Sequence, residues 1–307
     1  MTPPTLVSRL PGVGTTIFTV MSALAARADA VNLGQGFPDF GCDPVLVDAV
    51  SAAMREGHNQ YPPMTGVAAL REAIAGKIEA QHGRRPDPDT EITITAGATQ
   101  ALLTALLAIV HPGDEVIVPE PCYDCYGPNI AMAGGTMVPI AMTTDFRLPW
   151  EAIGAAIGPR TRALLLNSPH NPSGTVLRES DIEALRALVA AHPDLLIVSD
   201  EVYEHMVYDG EPHRSILRYP DLAARAFVIS SFGKSFHVTG WKVGYCIAPP
   251  SLSAEFRKSH QFVVFTVNTP AQTGIARYLA DPRPWRDLPA FYPVSYTHLT
   301  LPTKRIV

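Results

Sequence analysis

Short apolar runs alternate with longer amphipathic stretches along the 307-residue chain. The short runs are rich in Val, Ile and Leu, which is typical of buried strands, and we predict them at 91–95, 115–119, 136–140, 162–167, 195–199, 226–229 and 243–248. Helical periodicity predicts helices at 43–56, 66–81, 98–110, 124–133 and 179–191. This alternation predicts an α/β fold with a mostly parallel central sheet that helices cover on both faces.

Ligands of such sheets gather at the loops that leave the carboxyl ends of the strands. The first such loop places Gly97, Ala98 and Thr99 between a strand and a helix. Small residues let backbone N–H groups approach a ligand closely, and a helix start favours an anion such as phosphate. Small residues at a helix start also serve plain tight packing, so this loop alone leaves both interpretations open.

Two further loops carry an aromatic ring and an amide. Tyr123 follows the strand at 115–119 and is suited to stack on a planar ring, although a half-buried structural tyrosine is commoner. Asn171 lies in a turn of prolines and asparagines, and its amide is suited to bond a phenolic oxygen or a carboxylate. The alternative is that the asparagines only cap the turn.

A carboxylate ends the strand at 195–199. Asp200 in that position is costly unless a cation or donor pairs with it, and a protonated pyridine nitrogen is such a partner. The alternative for Asp200 is a helix N-cap. Tyr203 lies three residues on and is placed to reach the same ring, whereas we interpret His205 as a structural histidine.

Lys234 is the most informative residue. Only five of the 24 basic residues are lysines, and Lys234 lies among small residues after a predicted strand, eight positions before Lys242. An amine is nucleophilic only when neutral, and burial beside a second cation lowers its pKa. This is the chemistry of a Schiff-base lysine; the alternative is a solvated loop lysine. With the phosphate, ring, amide and carboxylate loops, it predicts pyridoxal 5′-phosphate as cofactor.

The composition excludes several classes. A net charge of −5 with 17% charged residues offers no basic surface for nucleic acid. We find no apolar stretch long enough for a bilayer and no signal pattern at the N-terminus, so a cytoplasmic location is expected. Cys122 and Cys125 lack a second ligand pair, and no metal site is predicted.

Several motifs occur in one order along the chain, at 32–39, 59–66, 70–74, 167–172, 199–205, 230–234, 239–244 and 267–272. On these motifs the chain resembles class I/II pyridoxal-phosphate-dependent aminotransferases of fold type I, most closely the methionine and kynurenine aminotransferase branch. The resemblance runs from about residue 8 to about Tyr292.

The resemblance implies roles for individual residues. Lys234 would form the Schiff base and shuttle protons, Asp200 would hold the pyridine nitrogen protonated, and Tyr203 would act with it. Other cofactor contacts would come from Gly97, Ala98, Thr99, Ser231 and Lys242 at the phosphate, Tyr123 on the ring, Asn171 and Tyr203 at the 3-oxygen, and Tyr61 of a second subunit. Gly36 and Asn171 would bind substrate.

It also implies a domain plan: an N-terminal arm and part of a small domain at 1–29, a large cofactor domain at 30–280, and the start of the small domain at 281–292. Residues 293–307 resemble nothing in the family, and we expect a non-native tail. The family's carboxylate-binding arginine has no counterpart here, so we expect a truncated chain that does not turn over.

The expected family activity is ping-pong transamination between an L-amino acid, methionine or an aromatic or kynurenine-like donor, and a 2-oxo acid, by a homodimer. A C–S β-lyase begins with the same α-deprotonation and stays open. A ligand-sensing module would carry a DNA-binding segment, which is not found before residue 8. A serine acyl-enzyme would use Ser231-x-x-Lys234 but needs two motifs that are missing here.

Overall fold

The computed structural model describes residues 6–32 and 40–292. Within these ranges the strands are β1 Ile92–Thr95, β2 Glu115–Glu120, β3 Thr136–Ala141, β4 Thr161–Asn167, β5 Leu196–Asp200, β6 Ala226–Ser231 and β7 Gly244–Ile247. The helices are α1 Ile17–Arg27, α2 Pro44–Arg55, α3 Ala68–His82, α4 Gly97–Ile109, α5 Tyr126–Met132, α6 Trp150–Ala155, α7 Glu179–Ala191, α8 Pro220–Ala223, α9 Phe232–Ser235, α10 Pro250–Val263, α11 Thr269–Leu279 and α12 Arg283–Arg286, with 3₁₀ turns at Ile216–Arg218 and Thr239–Trp241.

The strands form one seven-stranded sheet in the order β1-β7-β6-β5-β4-β2-β3. Only β7 runs against its neighbours, β1 and β6, so β1 to β6 all point the same way. Each predicted strand and helix coincides with an observed one, and the predicted and observed ends differ by at most two residues. The prediction of an α/β fold with a mostly parallel sheet is therefore confirmed.

Helices pack on both faces of the sheet and divide the core in two. The neighbours Ile197 and Val198 belong to opposite clusters, as the alternation of side chains along a strand requires. Ile182 of α7 packs in the first cluster and Leu102 of α4 in the second. Burial on both faces explains why the strands read as continuous apolar runs.

None of the helices in the described residues is both long enough and apolar enough to cross a membrane. The proposed domain limits at 29, 280 and 292 stay predictions.

A buried ion pair ties α3 to the loop after β5. Lys77 Nζ donates to both carboxylate oxygens of Glu204, at 2.7 and 2.8 Å, and the two side chains are 2% and 5% exposed. Ser230 Oγ and Tyr245 Oη also donate to Glu204 Oε1, at 2.8 and 3.2 Å. Burial alone would raise the pKa of Glu204, but the charge of Lys77, its hydrogen bond and the neighbouring His205 and His213 together outweigh burial and hold that pKa well below its usual range. This network fixes the residue next to Tyr203.

Two histidines lie beside this network. His205 is buried, as a structural histidine should be, and His82 packs edge-on against His213 with 6.2 Å between the ring centroids. Burial lowers the pKa of His82 and of His205 to about 4, and the nearby glutamates offset it only in part. Both rings are therefore neutral at pH 7.

We expect Lys77→Met to lower the free energy of unfolding by about 3–5 kcal/mol, because it leaves the Glu204 carboxylate buried without its cation. Urea denaturation measures the change. Lys258→Met is the matched control, since Lys258 is 70% exposed in its pair with Glu255 and its loss should cost less than about 1 kcal/mol. Equal losses in the two variants would contradict the assigned weight of the buried pair.

Stability should also fall as the pH is lowered from 6.5 towards 4. In the unfolded chain, His82 and His205 take up protons with a pKa of about 6.5. In the folded protein, their pKa is about 4, so they stay neutral over most of this window. The unfolded state then binds more protons than the folded state, so the free energy of unfolding falls by up to about 1.4 kcal/mol per pH unit for each histidine. The lowered pKa of Glu204 adds a further loss below 4.5.

Urea denaturation across this pH range measures the slope. His205→Gln should flatten it, while His58→Gln, at an exposed histidine, should leave it unchanged. A slope that His205→Gln does not alter would disprove this origin of the acid sensitivity.

Candidate active site

A cleft of about 760 Å³ opens at the carboxyl edge of the sheet. Because β1 to β6 are parallel, the loops after β1, β2, β4, β5 and β6 all reach this edge. The cleft is lined by ten residues that the sequence predicted: Gly97, Ala98, Thr99, Tyr123, Asn171, Asp200, Tyr203, Ser231, Lys234 and Lys242.

The start of α4 and Lys242 form a positively charged cradle in this cleft. Gly97 has a φ of +78°, and a Cβ built on it would lie 3.2 Å from Lys242 Nζ, so the amine sits directly over the helix start. The side chain of the preceding residue, Ala96, has no atom that could cap the first N–H groups of α4. A Cβ at Gly244 would come within 3.1 Å of Ala98 N, so this glycine lets β7 pack against the cradle. The arrangement suits a phosphate.

Lys234 lies in α9, a single helical turn directly after β6. Ser231 Oγ accepts the Gly233 N–H at 3.1 Å and so caps this turn. Lys234 Nζ lies 5.5 Å from the centroid of the Tyr203 ring. Burial, and then the charge of Lys242, lower the pKa of Lys234. The two causes are those that the sequence predicted for a nucleophilic amine.

Asp200 ends β5 and is only 3% exposed. Its Oδ2 accepts from Tyr126 Oη at 2.8 Å, and its Oδ1 accepts from Val202 N at 3.2 Å. Burial raises the pKa of Asp200 to about 6, although the Tyr126 hydrogen bond works in the opposite direction. The residues after Asp200 form a turn, so the alternative of a helix N-cap is wrong.

Asn167 holds the turn that carries Asn171. Its Nδ2 donates to Asp200 O at 2.9 Å, and its Oδ1 accepts from Asn171 N at 2.7 Å. The end of β4 is thus fixed to the end of β5, and the Asn171 side chain remains at the cleft. The capping alternative is correct for Asn167.

Tyr203 and Tyr123 present phenols and rings to the cleft. Burial, followed by the charge of Asp200, raises the pKa of Tyr203 to about 12, so its hydroxyl keeps its proton and can donate it in a hydrogen bond. Burial also raises the pKa of Tyr123. The Tyr123 ring packs edge-on against Tyr126, with 5.8 Å between the centroids.

Two predicted site residues are not part of this cleft. Tyr61 is 80% exposed and packs against Phe265 at 5.4 Å between ring centroids, and its role in a second subunit stays a prediction. Gly36 lies outside the described residues. Its substrate role stays a prediction.

No group of three or more His, Cys, Asp or Glu side chains in residues 6–32 and 40–292 is arranged to hold a metal ion. Cys122 and Cys125 are free thiols, and burial raises the pKa of Cys122 to about 11.

Sequence reasoning missed several residues of the cleft. The sequence pattern predicts only that Tyr126 lies in a helix, and nothing local marks its hydrogen bond to a residue 74 positions away. Ile17 and Phe18 lie at the cleft in α1, a helix that was not predicted. A capping threonine at position 16 before an apolar run was the available signal. No arginine of the described chain lines the cleft.

The donor set fits pyridoxal phosphate. The cleft offers an amine of lowered pKa at Lys234, a buried carboxylate at Asp200, and an uncapped helix start under the amine of Lys242. These match the cofactor's aldehyde, ring nitrogen and phosphate in charge and hydrogen-bonding capacity.

Comparison with known proteins agrees with a cleft that binds pyridoxal phosphate. The family model "Aminotransferase class I and II" matches residues 28–286. Methionine aminotransferase of Escherichia coli (strain K12) is 51% identical over 287 residues, which cover 93% of this chain and 74% of that protein. A probable N-succinyldiaminopimelate aminotransferase of Mycobacterium tuberculosis is 43% identical over 91% of this chain and 71% of its own length.

Among solved structures, that of YbdL from Escherichia coli, for which a methionine aminotransferase function was identified, superposes with a TM-score of 0.92 at 49% identity. The match covers 96% of this chain and 77% of the other. The chain therefore belongs to the class I and II aminotransferase family and is a pyridoxal-phosphate-dependent aminotransferase by descent.

Proposed function

We propose that the cleft serves the transfer of an amino group between L-methionine, or an aromatic or kynurenine-like donor, and a 2-oxo acid, with pyridoxal phosphate held at Lys234. That this chain itself does not turn over stays a prediction. The observation that carries the proposal is the convergence of Lys234, Asp200 and the Lys242 cradle on one cleft. Identity of 51% with a methionine aminotransferase supports the donor.

Lys234 is the general base and acid of the proposal. Its lowered pKa leaves more of the amine neutral near pH 7, and a neutral amine can take the α-proton of the donor and return it elsewhere. The cap that Ser231 provides holds the turn in which this amine lies. Two half-reactions on one lysine predict ping-pong kinetics.

Asp200 is the counter-charge. When bound, pyridoxal phosphate supplies a ring that accepts the electron pair of the α-carbon, and a protonated ring nitrogen makes it a better acceptor. A buried carboxylate stabilises that proton more strongly than an exposed one, because water does not screen the pair. Asn171 and Tyr203 would donate hydrogen bonds to the 3-oxygen, and Tyr123 would stack on the ring.

The remaining contacts extend the proposal. Gly97, Ala98, Thr99, Ser231 and Lys242 would hold the phosphate at the start of α4. Tyr61 would complete the same cradle in a second subunit, which makes the working unit a homodimer, and Gly36 would contact substrate. The limits of residues 30–280 for the cofactor domain belong to the same proposal.

We expect the protein to form a covalent adduct with pyridoxal phosphate at Lys234. Incubation with the cofactor should give a visible absorbance band, and reduction with borohydride should fix a pyridoxyl group on the peptide that contains Lys234, as peptide mass spectrometry would detect. Lys234→Ala should abolish the band and the adduct, while Lys258→Ala, at an exposed lysine, should keep both.

A folded wild-type protein that gains no adduct at Lys234 when saturated with the cofactor would disprove the proposal. Circular dichroism of Lys234→Ala shows whether the variant keeps its fold. A label of equal yield on several exposed lysines would be unspecific chemistry and would count against the site.

Single-turnover spectra of the loaded protein should rank the amino donors. We expect methionine to change the spectrum at least tenfold faster than aspartate, because no arginine of the described cleft would pair with a second carboxylate. Release of pyruvate from a cysteine S-conjugate without any 2-oxo acid would instead favour the C–S β-lyase. A faster reaction with aspartate would refute the donor class.

A further inference from the structure

Tyr126 is a buried tyrosine whose hydroxyl donates a hydrogen bond to a carboxylate of the cleft. It is 2% exposed, begins α5, and packs in the core cluster on the α4 face of the sheet. A phenylalanine would fill a core of this kind without needing a hydrogen-bond partner. The hydroxyl here donates to Asp200 Oδ2 at 2.8 Å, which joins α5 to the end of β5.

This bond completes the anchoring of the Asp200 carboxylate. Oδ1 accepts from the backbone of Val202 at 3.2 Å, and Oδ2 accepts from Tyr126. Donors from α5 and from the turn after β5 therefore hold the two oxygens, which fixes the plane of the carboxylate. An ionised carboxylate has about four acceptor positions, so capacity remains for a donor that enters the cleft.

The same residue also supports the ring of Tyr123, which lies edge-on to it at 5.8 Å between the centroids. The two contacts use different parts of Tyr126, the hydroxyl for Asp200 and the ring for Tyr123. A phenylalanine at position 126 removes the first contact and keeps the second. Substitution can therefore separate the hydroxyl's effect from that of packing.

We propose that Tyr126 is a positioning residue, whose hydroxyl orients the Asp200 carboxylate and sets how strongly that carboxylate holds the protonated ring nitrogen of the cofactor. The inference rests on the proposed function, since it takes Asp200 as the partner of that nitrogen. The inference goes beyond the proposed function by assigning part of that control to Tyr126, a residue outside the set that the sequence predicted for the site.

The physical effect has a definite sign. A hydrogen bond to the charged form of a carboxyl group favours that form, so the Tyr126 hydroxyl opposes the rise in pKa that burial causes at Asp200. Without the hydroxyl, the carboxyl group would take up a proton at a higher pH. A neutral carboxyl group attracts a cationic ring less strongly, so cofactor binding should fail earlier on acidification.

The test compares two ligands, pyridoxamine 5′-phosphate and its analogue with C–H in place of the ring nitrogen. Neither forms a bond to Lys234, so equilibrium dialysis reports non-covalent binding alone. The quantity of interest is how the ratio of the two dissociation constants changes from the wild type to a variant, because contacts that the substitution does not alter cancel in this comparison. We expect the wild type to prefer the nitrogen ligand.

Tyr126→Phe should reduce this preference about tenfold at neutral pH, the size expected for a lost hydrogen bond to a charged group. The acid loss of binding of the nitrogen ligand should also move to higher pH. Tyr278→Phe is the matched control, since Tyr278 donates to Asp43 Oδ2 at the same 2.8 Å but lies outside the cleft. It should leave both readouts unchanged.

The outcomes are separable. If Asp200→Asn removes the preference and Tyr126→Phe does not, Tyr126 serves packing only and the inference is overturned while the proposed function stands. If Tyr126→Phe weakens both ligands equally, the inference is likewise overturned. A wild type without preference, or one whose preference survives Asp200→Asn, would overturn the role of Asp200 and with it both proposals.

Discussion

The parallel alignment of β1 to β6 within one sheet is the constraint on which the rest of this structure depends. Both faces of the sheet are buried, so a polar side chain has no place along the strands unless it is paired. The parallel direction brings the carboxyl ends of all six strands to one edge. Chemistry-bearing residues that lie far apart in the chain therefore meet in a single cleft.

The charges around the central strands are separated by the sheet and compensated in different ways. On one face, Glu204 is saturated by Lys77, Ser230 and Tyr245, which leaves it inert and makes it part of the scaffold. At the cleft, the donors to Asp200 from residues 6–32 and 40–292 are both neutral, the Tyr126 hydroxyl and the Val202 amide. Its charge is therefore still available to a cationic ligand, which is the difference between a structural and a functional carboxylate.

Close backbone packing gives the phosphate cradle its shape. Gly244 allows β7 to approach the start of α4, and Gly97 allows the amine of Lys242 to lie over that start. Lys242 itself adopts a left-handed φ of +54°, a conformation that a lysine seldom takes, just before β7 begins. The positive end of the helix and the amine thus face the same point, where a dianionic group would be stabilised by both.

The sequence by itself determined the order of strands and helices and the loops that carry Lys234, Asp200 and Asn171. These features are local. A strand that is buried on both faces is apolar at successive positions, and polar residues follow directly where each apolar run ends. The tertiary structure alone decided the hydrogen bond from Tyr126 to Asp200, the pairing of Lys77 with Glu204, and the position of Lys242 over Gly97. Each of these contacts joins residues more than 70 positions apart, and a contact between distant positions leaves no periodic trace in one sequence.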